Sequence, residues 1–322
     1  MTEKSYYKNA YCHTFDAAVC SVKPSVSDPE NRDRVIYEIV LDRTCFFPEG
    51  GGQGSDRGVI RLPDGGPVLQ VFDVRLADSE IVHYAHVTDA DGGSAHDSAV
   101  REAFREGVRV QGEIDFNRRF DYMQQHTGEH IVSGIICGTY GYDNVGFRLA
   151  DDHVTMDYSG VLTLEQVSAV EKQANEAVWK NKPVIVSFPS EEEQKTLVYR
   201  SKIEIPGDDL RIVEIPGIDV CACCAPHVKT TGEIGLIKIT RLQNWKGGVR
   251  LSMVCGARAL SLMQAEHDMV TTLAKNLSTS WENIPDRFDK MKHDLGSCKK
   301  ELKDLKKQYG VKVPGADRPA QA

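Results

Sequence analysis

The sequence lacks the features of membrane, secreted and low-complexity proteins. No apolar run approaches the roughly eighteen residues that a membrane-spanning helix requires. The N-terminal segment, MTEKSYYKNAYCHTF, contains no apolar stretch behind a basic one, which argues against a secretory signal peptide. A charged fraction of 27% and a hydrophobic fraction of 41% exclude a chain that is disordered throughout. We therefore expect a cytoplasmic protein of two or three domains that does not contact membranes.

An excess of basic residues is also missing. The chain has 39 Lys and Arg residues against 47 Asp and Glu residues, for a net charge of −8. This balance excludes a uniformly basic surface for indiscriminate nucleic-acid binding, although it allows a local basic patch. The nine cysteines of a protein in a reducing compartment are expected to be mostly free thiols or metal ligands.

Apolar and turn residues divide the chain into four regions and predict an α+β fold. Residues 1–107 contain short β-branched runs and predict a small β-barrel domain that carries a glycine-rich motif. Residues 108–256 mix helices and strands without a regular β-α-β alternation, which predicts an α+β domain. Residues 257–309 predict a helical hairpin or coiled coil, and residues 310–322 predict a tail.

Three local patterns predict particular elements. Residues 145–158 alternate like a hairpin, and Thr163 with Gln166 forms a capping box ahead of a helix. Between residues 284 and 309, apolar residues recur at spacings of four and three, which is a heptad pattern. Either the upstream helix or a second subunit must cover this seam, and the sequence leaves both open. The seam residues are Ile284, Phe288, Met291, Leu295, Cys298, Leu302, Leu305 and Tyr309.

Two short segments contain the residue types that bind metal ions. His126 and His130 lie four positions apart, so a helix places both imidazoles on one face. The second segment holds three thiols and an imidazole within seven residues: Cys221, Cys223, Cys224 and His227. Imidazole and thiolate together are a zinc ligand set. One shared Zn²⁺ site is therefore a better interpretation than two unrelated half-sites.

The spacing alone does not decide which cysteine is the ligand. Cys223 precedes His227 by four positions, which matches the first pair, so Cys223 is the predicted thiolate. Cys221 and Cys224 remain alternatives, since Pro226 argues against a regular helix in this segment. Four tight ligands would make the site structural, whereas one loose ligand would let the metal activate a water molecule.

The histidine motif also allows a different enzyme class. His126-x-x-Glu129-His130 fits the inverted H-x-x-E-H pattern of metallopeptidases, in which the glutamate is the general base. Such enzymes use a downstream carboxylate as third ligand, so the cysteine-containing second segment argues against them. The position of Glu129 nevertheless keeps its carboxylate near the predicted metal face and makes it a candidate catalytic residue.

A third motif is rich in glycine. Residues 46–53 read FFPEGGGQ, and three consecutive glycines allow a ligand or another domain to approach the backbone closely. A plain turn would explain the glycines alone. The sequence argues against a phosphate-binding loop, because no Lys-Ser or Lys-Thr pair follows and no helix is predicted to begin there.

Together these motifs resemble the alanyl-tRNA editing proteins of the AlaX family and the editing region of alanyl-tRNA synthetase. The resemblance spans roughly residues 10–260. It is carried by FFPEGGGQ at 46–53, His126-Thr127-x-x-His130, Cys223-x-x-x-His227, TGEIG at 231–235, GVR at 248–250 and VCG at 254–256. The chain departs from the usual Cys-Gly-Gly-Thr-His at its second half-site, where it reads CCAPH, and it has Gly54 where Pro is usual.

The resemblance implies a trans-acting hydrolase that clears tRNA(Ala) wrongly charged with serine or glycine at a zinc site. It also implies a β-barrel with the glycine motif, followed by an α+β editing domain. Because serine carries a hydroxyl that alanine lacks, a polar group can select it. Thr44 and Thr127 are the candidate hydroxyl readers, and Gln53 is the candidate contact for the terminal adenosine or the aminoacyl group.

Basic residues near the motifs are candidates for binding the tRNA. Arg118 and Arg119 precede the histidine helix, while Lys246 and Arg250 follow the second half-site. The C-terminal helices could contact tRNA or form a homodimer, although a solvated charged face is the simpler explanation of their charges. A non-catalytic tRNA-binding module with a structural zinc is the remaining alternative.

Overall fold

The computed structural model describes residues 2–25, 35–88, 97–200 and 210–310. The predicted turn at residues 89–93 and the predicted tail after residue 310 lie outside the described residues. The chain divides into two units, Met1–Leu260 and Ser261–Ala322, which are described separately. Among the described residues, none of the helices combines the length and the apolar character needed to cross a bilayer.

A closed barrel of six antiparallel strands occupies the beginning of the first unit. Two short elements, β1 (Glu3–Lys4) and α1 (Ser5–Lys8), precede it. The following elements are β2 (Thr14–Pro24), β3 (Ile36–Leu41), β4 (Arg43–Thr44), β5 (Gly58–Arg61), β6 (Val68–Ala77), β7 (Glu80–Thr88), α2 (Asp97–Ala103) and β8 (Arg109–Ile114). The barrel order is β2-β3-β7-β6-β5-β8, and β1 pairs with β4 beside it. The predicted N-terminal β-barrel is thereby confirmed.

The strand that closes the barrel lies beyond the predicted boundary at residue 107. Alternate residues of β8, including Val110 and Ile114, are buried in the barrel. β8 pairs with β2 on one side and with β5 on the other. Because a closed barrel has no free edge, the sixth strand belongs to it although it directly precedes the histidine helix. Local residue patterns do not show which distant strands complete a barrel.

Two of the nine cysteines are joined in a disulfide. Cys12 and Cys45 are bonded, with their Cα atoms 5.9 Å apart. The sequence analysis expected mostly free thiols or metal ligands, and this pair is an exception. Cys12 lies in the segment between α1 and β2, and Cys45 directly follows β4. The other seven cysteines are free thiols, as expected for most of the set.

An α+β region follows the barrel. Its elements are α3 (Phe116–Tyr140), β9 (Asn144–Leu149), β10 (Val154–Tyr158), α4 (Leu164–Trp179), β11 (Ile185–Ser187), α5 (Glu191–Gln194), β12 (Ile212–Ile215), β13 (Asp219–Ala222), β14 (Ile237–Trp245) and β15 (Gly248–Cys255). Four strands form an antiparallel sheet in the order β14-β15-β10-β9, and β11-β12-β13 form a smaller one. Helices α3 and α4 pack against the larger sheet and enclose a hydrophobic core with it.

Two of the predicted local patterns are confirmed in this region. β9 and β10 pair as the predicted hairpin. The Thr163 side chain accepts a hydrogen bond from the Gln166 backbone, and the Gln166 side chain accepts one from the Thr163 backbone. Behind this cap, the apolar stripe of α4 is buried against the core at Val167, Val170, Ala174 and Val178.

The C-terminal part of the chain is helical. Its helices are α6 (Gly256–Asn276) and α7 (Ile284–Gln308), so the predicted helices are present. Pro285 lies in the first turn of α7, where its missing N–H has no helical partner to lose. None of the residues of α7 is buried, and the heptad residues Phe288, Leu295 and Leu302 are 51–54% exposed. The upstream helix α6 therefore leaves these three seam residues about half exposed.

Candidate metal centre and its cavity

Helix α3 positions the first pair of candidate ligands. Asp115 begins the helix, because its side chain accepts a hydrogen bond from the Arg118 backbone. The middle of α3 is buried, and His126 and His130 are each only 2–3% exposed. One helical turn separates them, so their imidazole rings lie on one face with centroids 5.5 Å apart. The predicted pair therefore shares one buried location.

The segment after β13 brings the second pair to the same location. The Sγ atom of Cys223 lies 3.6 Å from Nε2 of His126 and 3.3 Å from Nε2 of His227. One ligand atom from each of His126, His130, Cys223 and His227 lies within 4.8 Å of the others. All four side chains belong to one buried group with the donor atoms that a metal ion requires. The thiol of this group is Cys223.

Each histidine of the group also presents its Nδ1 atom to an acceptor. Nδ1 of His126 lies 2.8 Å from Oε1 of Gln53, and Nδ1 of His227 lies 3.0 Å from Oγ1 of Thr127. Nδ1 of His130 lies 3.0 Å from Oδ2 of Asp219. An acceptor at Nδ1 fixes the orientation of a ring and favours the tautomer whose Nε2 can bind a metal ion.

Burial also determines the protonation of the group. Burial, with a contribution from the neighbouring His130 and His126, lowers the pKa of His227 well below its usual value, so its imidazole is neutral. Burial raises the pKa of the Cys223 thiol. A bound cation would oppose that second effect, because it stabilises a thiolate. The donor set therefore fits a metal ion with affinity for nitrogen and sulfur.

Asp219 connects this group to an arginine. The Arg200 guanidinium binds both carboxylate oxygens of Asp219, at 2.6 and 2.8 Å. Burial opposes ionisation of Asp219, but the hydrogen bonds from Arg200 and His130 outweigh it and lower the pKa of the carboxyl group. His130, Asp219 and Cys221 also lie close enough to be a second metal group. A second cation there would be repelled by the Arg200 guanidinium. The Asp219 carboxylate is therefore better described as the partner of Arg200 in an ion pair.

Glu129 is the buried carboxylate beside the candidate ligands. Its Oε1 atom accepts hydrogen bonds from Ser133 and Asn144, each at 2.5 Å. Its Oε2 atom lies 4.0 Å from Nε2 of His130. Two hydrogen bonds to one oxygen hold the carboxylate in place and orient the other oxygen towards the histidines.

A cavity of about 450 Å³ opens beside the group. His126, His130 and Cys223 line its inner wall together with Glu129, and residues 50–52 of the glycine motif line another wall. Gly51 and Gly52 have φ values of +59° and +79°. A Cβ atom on Gly52 would lie 2.7 Å from the Phe147 carbonyl oxygen. Glycine is therefore required for this loop to reach β9 at the rim of the cavity.

The structure does not bring every predicted site residue to the cavity. Thr44 is completely buried in the barrel region, where Oγ1 lies 2.8 Å from Nε2 of His83. Gln53 and Thr127 are also buried, and their side chains contact His126 and His227. Neither of the predicted hydroxyl readers lines the cavity wall.

The predicted RNA-binding arginines differ in exposure. Arg119 is completely buried, with its guanidinium bonded to Asp56 and to backbone oxygens of Ala10 and Cys45. It has no surface that an RNA could contact, so the RNA-binding prediction does not apply to it. Arg118 is paired with Asp151 at 2.8 Å and lies over the Tyr122 ring.

Lys246 and Arg250 occupy the other predicted RNA-binding positions. Lys246 is exposed in the turn between β14 and β15, and Arg250 lies at the start of β15. Asp157 accepts two hydrogen bonds from Arg250.

The sequence analysis missed the polar residues that support the candidate ligands. Asp219, Arg200, Ser133 and Asn144 had no motif of their own. Only Asp219 carried a signal, since it lies two positions before Cys221 on β13 and therefore points to the same side of the strand. Arg200, Ser133 and Asn144 reach the candidate ligands only through tertiary folding, so no local pattern identifies them.

Comparisons with known proteins find the family that the sequence motifs resemble. Residues 210–251 match the profile described as "Threonyl and Alanyl tRNA synthetase second additional domain". The alanyl-tRNA editing protein AlaX-L of Pyrococcus horikoshii is 33% identical over 82% of this chain. Alanine–tRNA ligases of Methanothrix thermoacetophila and Thermofilum pendens are 30% and 31% identical, each over 97% of this chain. The chain spans 60% of the length of the AlaX-L protein and about a third of the ligases.

Proposed function

Because this chain is a homologue of alanyl-tRNA editing proteins, we propose that it hydrolyses the aminoacyl ester of tRNA(Ala) wrongly charged with serine or glycine. The observation that carries the proposal is the buried His₃Cys group at the wall of a cavity bounded by the glycine motif. The cavity is large enough for an aminoacyl group and part of a nucleoside. We place this activity in the cytoplasm, where charged tRNA is used.

The proposed metal ion is Zn²⁺, held by His126, His130, Cys223 and His227. Three imidazoles and one thiol match the ligands that zinc prefers. If one of these four ligands yields its position, as a catalytic zinc site requires, zinc would supply a Lewis acid that polarises the ester carbonyl. Its ligands would be kept in orientation by Gln53, Thr127 and Asp219, which contact the imidazoles through Nδ1.

The protein's own groups supply the proton transfer and the positioning. We assign to Glu129 the role of general base, which accepts a proton at Oε2 from the water that attacks the ester. Ser133 and Asn144 occupy Oε1 and hold Oε2 in place for this transfer. Thr127 acts in this proposal through His227, since its hydroxyl oxygen is committed to that imidazole and to the Val228 backbone.

The test is the hydrolysis of Ser-tRNA(Ala), Gly-tRNA(Ala) and Ala-tRNA(Ala) by zinc-loaded protein. We expect rapid loss of serine or glycine and retention of alanine. Cys223→Ala should lower the deacylation rate by about two orders of magnitude or more, because it removes a metal ligand. Cys20→Ala is the matched control, since this thiol is free and exposed on the barrel. Removal of zinc by a chelator should have the effect of Cys223→Ala.

The same experiment separates the alternatives. Intact esters in the presence of bound zinc and bound tRNA would replace the enzyme proposal with a non-catalytic binding module. Zinc-dependent cleavage of a peptide, with the esters intact, would favour the metallopeptidase. The ligand set argues against the second outcome, because the fourth residue of the group is a thiol rather than a carboxylate.

A further inference from the structure

The four-stranded sheet has one face that the helices α3 and α4 do not cover. Its central and edge strands place their inner residues, such as Leu251 and Met156, in the core with these helices. The intervening residues point to the opposite side. Two cross-strand rows on that side define the open sheet face. One row is Gln243, Arg250, Asp157 and Gly146, and the other is Arg241, Thr155 and Arg148 with the buried Ser252 between them; Trp245 lies at the end of β14.

The open sheet face is basic although the protein is acidic. Three arginines lie in its two rows, and Lys246 follows Trp245 in the adjoining turn. Asp157 is the acidic residue of the rows, and Arg250 binds both of its oxygens, at 2.6 and 2.7 Å. Arg148 and Arg241 are exposed beyond this pair. A local positive potential of this kind attracts phosphates even when the net charge is negative.

An aromatic platform lies at one end of the face. Trp245 is 38% exposed, and the Arg250 guanidinium lies 3.8 Å from the centroid of its ring. Because Asp157 fixes Arg250 in turn, the indole is held in one orientation before any ligand arrives. A rigid indole among basic side chains is suited to stacking on an unpaired base.

The face leads to the cavity described above. β9 is the edge strand next to the glycine motif, where the Leu149 backbone donates a hydrogen bond to the Gly52 carbonyl oxygen. Gly146 of the first row and Phe147 beside it also line the cavity. Three strand spacings of about 4.8 Å separate β9 from β14. An RNA strand that leaves the cavity over β9 would therefore reach Trp245 within a few nucleotides.

We propose that the open sheet face binds the unpaired 3′ end of the substrate tRNA, with a base on Trp245 and phosphates on Arg148 and Arg241. This inference rests on the proposed function, because it requires the ester at the end of that strand to enter the cavity. Lys246 and Arg250 belong to the same surface. Arg250 supports Trp245, and Lys246 adds charge at the far end.

The experiment measures binding of uncharged tRNA(Ala) by fluorescence anisotropy over a range of salt concentrations. Trp245→Ala should weaken binding about 10-fold or more through lost stacking, whereas Trp245→Phe should restore most of it. Trp179→Ala is the matched control, since Trp179 is 70% exposed at the end of α4 and should leave affinity unchanged. Exchanging Arg148 and Arg241 together for Gln should lower the salt slope by about 1.4.

A truncated tRNA identifies the part of the RNA that is bound. Without its unpaired 3′ nucleotides, tRNA(Ala) should bind the unaltered protein as weakly as the whole tRNA binds the Trp245→Ala variant. The Trp245→Ala variant should bind the truncated tRNA with the same affinity as the whole tRNA. Equal affinity of the Trp245→Ala variant and the unaltered protein for whole tRNA would overturn the inference, as would absence of tRNA binding by both.

Hydrolysis of the seryl ester of adenosine separates this inference from the proposed function. This short ester contains no strand to lie on the sheet, so the Trp245→Ala variant should cleave it as fast as the unaltered protein does. Slow cleavage by the variant would place Trp245 in the reaction itself and overturn the docking role. If neither protein cleaves any ester while the binding differences hold, the deacylase proposal fails and the RNA surface stands.

Discussion

His83 is a titratable side chain in the interior of the barrel. It is completely buried, with Nδ1 3.0 Å from the Ile39 carbonyl oxygen and Nε2 2.8 Å from the Thr44 hydroxyl. Burial lowers the pKa of this imidazole from 6.5 to about 4, against a smaller opposing effect of the Ile39 carbonyl. The folded protein therefore keeps a neutral histidine at pH values where the unfolded chain is protonated.

This difference predicts the pH dependence of stability. The unfolded chain binds the proton first, so the contribution of His83 to the free energy of unfolding is complete above pH 6.5 and is lost as the pH falls from 6.5 towards 4. His83 should account for a loss on the order of 3 kcal/mol over that window. Urea unfolding of His83→Gln at several pH values should show a shallower decrease. His13→Gln, at an exposed histidine, should keep the full decrease, and an unchanged slope in His83→Gln would contradict the assignment.

At the level of single residues, the sequence predicted which side chains can bind a metal ion better than it predicted which side chains reach the cavity. His126, His130 and His227 could be chosen because few residue types bind metals and their spacing is short. Thr44 and Arg119 were assigned to substrate because a hydroxyl and a guanidinium suit those tasks. Their burial beside His83 and Asp56 depends on how the barrel closes, which no local pattern records.

Helix α4 allows a direct measurement of what its cap contributes. Thr163→Ala removes an acceptor for the Gln166 backbone and breaks the capping box. We expect a loss of about 1 kcal/mol in the free energy of unfolding. Calorimetry should detect it as a decrease of about 2–4 °C in the melting temperature. Because α4 buries Val167, Val170 and Ala174, fraying of its first turn would disturb the core.

The control is a second capping box, on a helix that has no buried residues. Ser190 and Glu193 form a capping box on α5, which spans four residues and has none buried. Ser190→Ala should leave the melting temperature nearly unchanged. Equal losses in the two variants would mean that the cap acts locally, independent of the packing behind it.

At the level of elements, the sequence was informative wherever neighbours in sequence are neighbours in space. The hairpin of β9 and β10 and the cap of α4 are of this kind. The pairing of β8 with β2 joins residues almost a hundred positions apart. Polar alternation in β8 shows that one side is buried, but it does not identify the strands on either edge.

The molecule as a whole has an exposed apolar seam in its second unit. Phe288, Leu295 and Leu302 are about half exposed on α7, at the spacing that pairs helices in coiled coils. We propose that a second copy of the chain covers this seam. Sedimentation should then give a dimer for the full chain and a monomer for residues 1–260, the first unit.

Monomer masses for both proteins would refute the dimer. Full-length Leu295→Glu provides a second test, because a charge in the seam should dissociate the dimer without removing any helix. The far-ultraviolet circular dichroism of this variant should remain close to that of the unaltered chain. Under the proposed function, the rate of ester hydrolysis by this variant should equal that of the unaltered chain, because Leu295 lies outside the first unit, which contains the His₃Cys group.

The contact between Gln53 and His126 links ion binding to the folding of the first unit. It belongs to the loop after β4, whereas the imidazole that it orients lies on α3. By restraining His126, this loop would strengthen the binding of an ion. Because such coupling is reciprocal, a bound ion would stabilise the folded loop by the same free energy. A bound ion would therefore stabilise the contact between the loop after β4 and helix α3. The concentration of metal in the cell would then affect the folding equilibrium of residues that do not contact the ion.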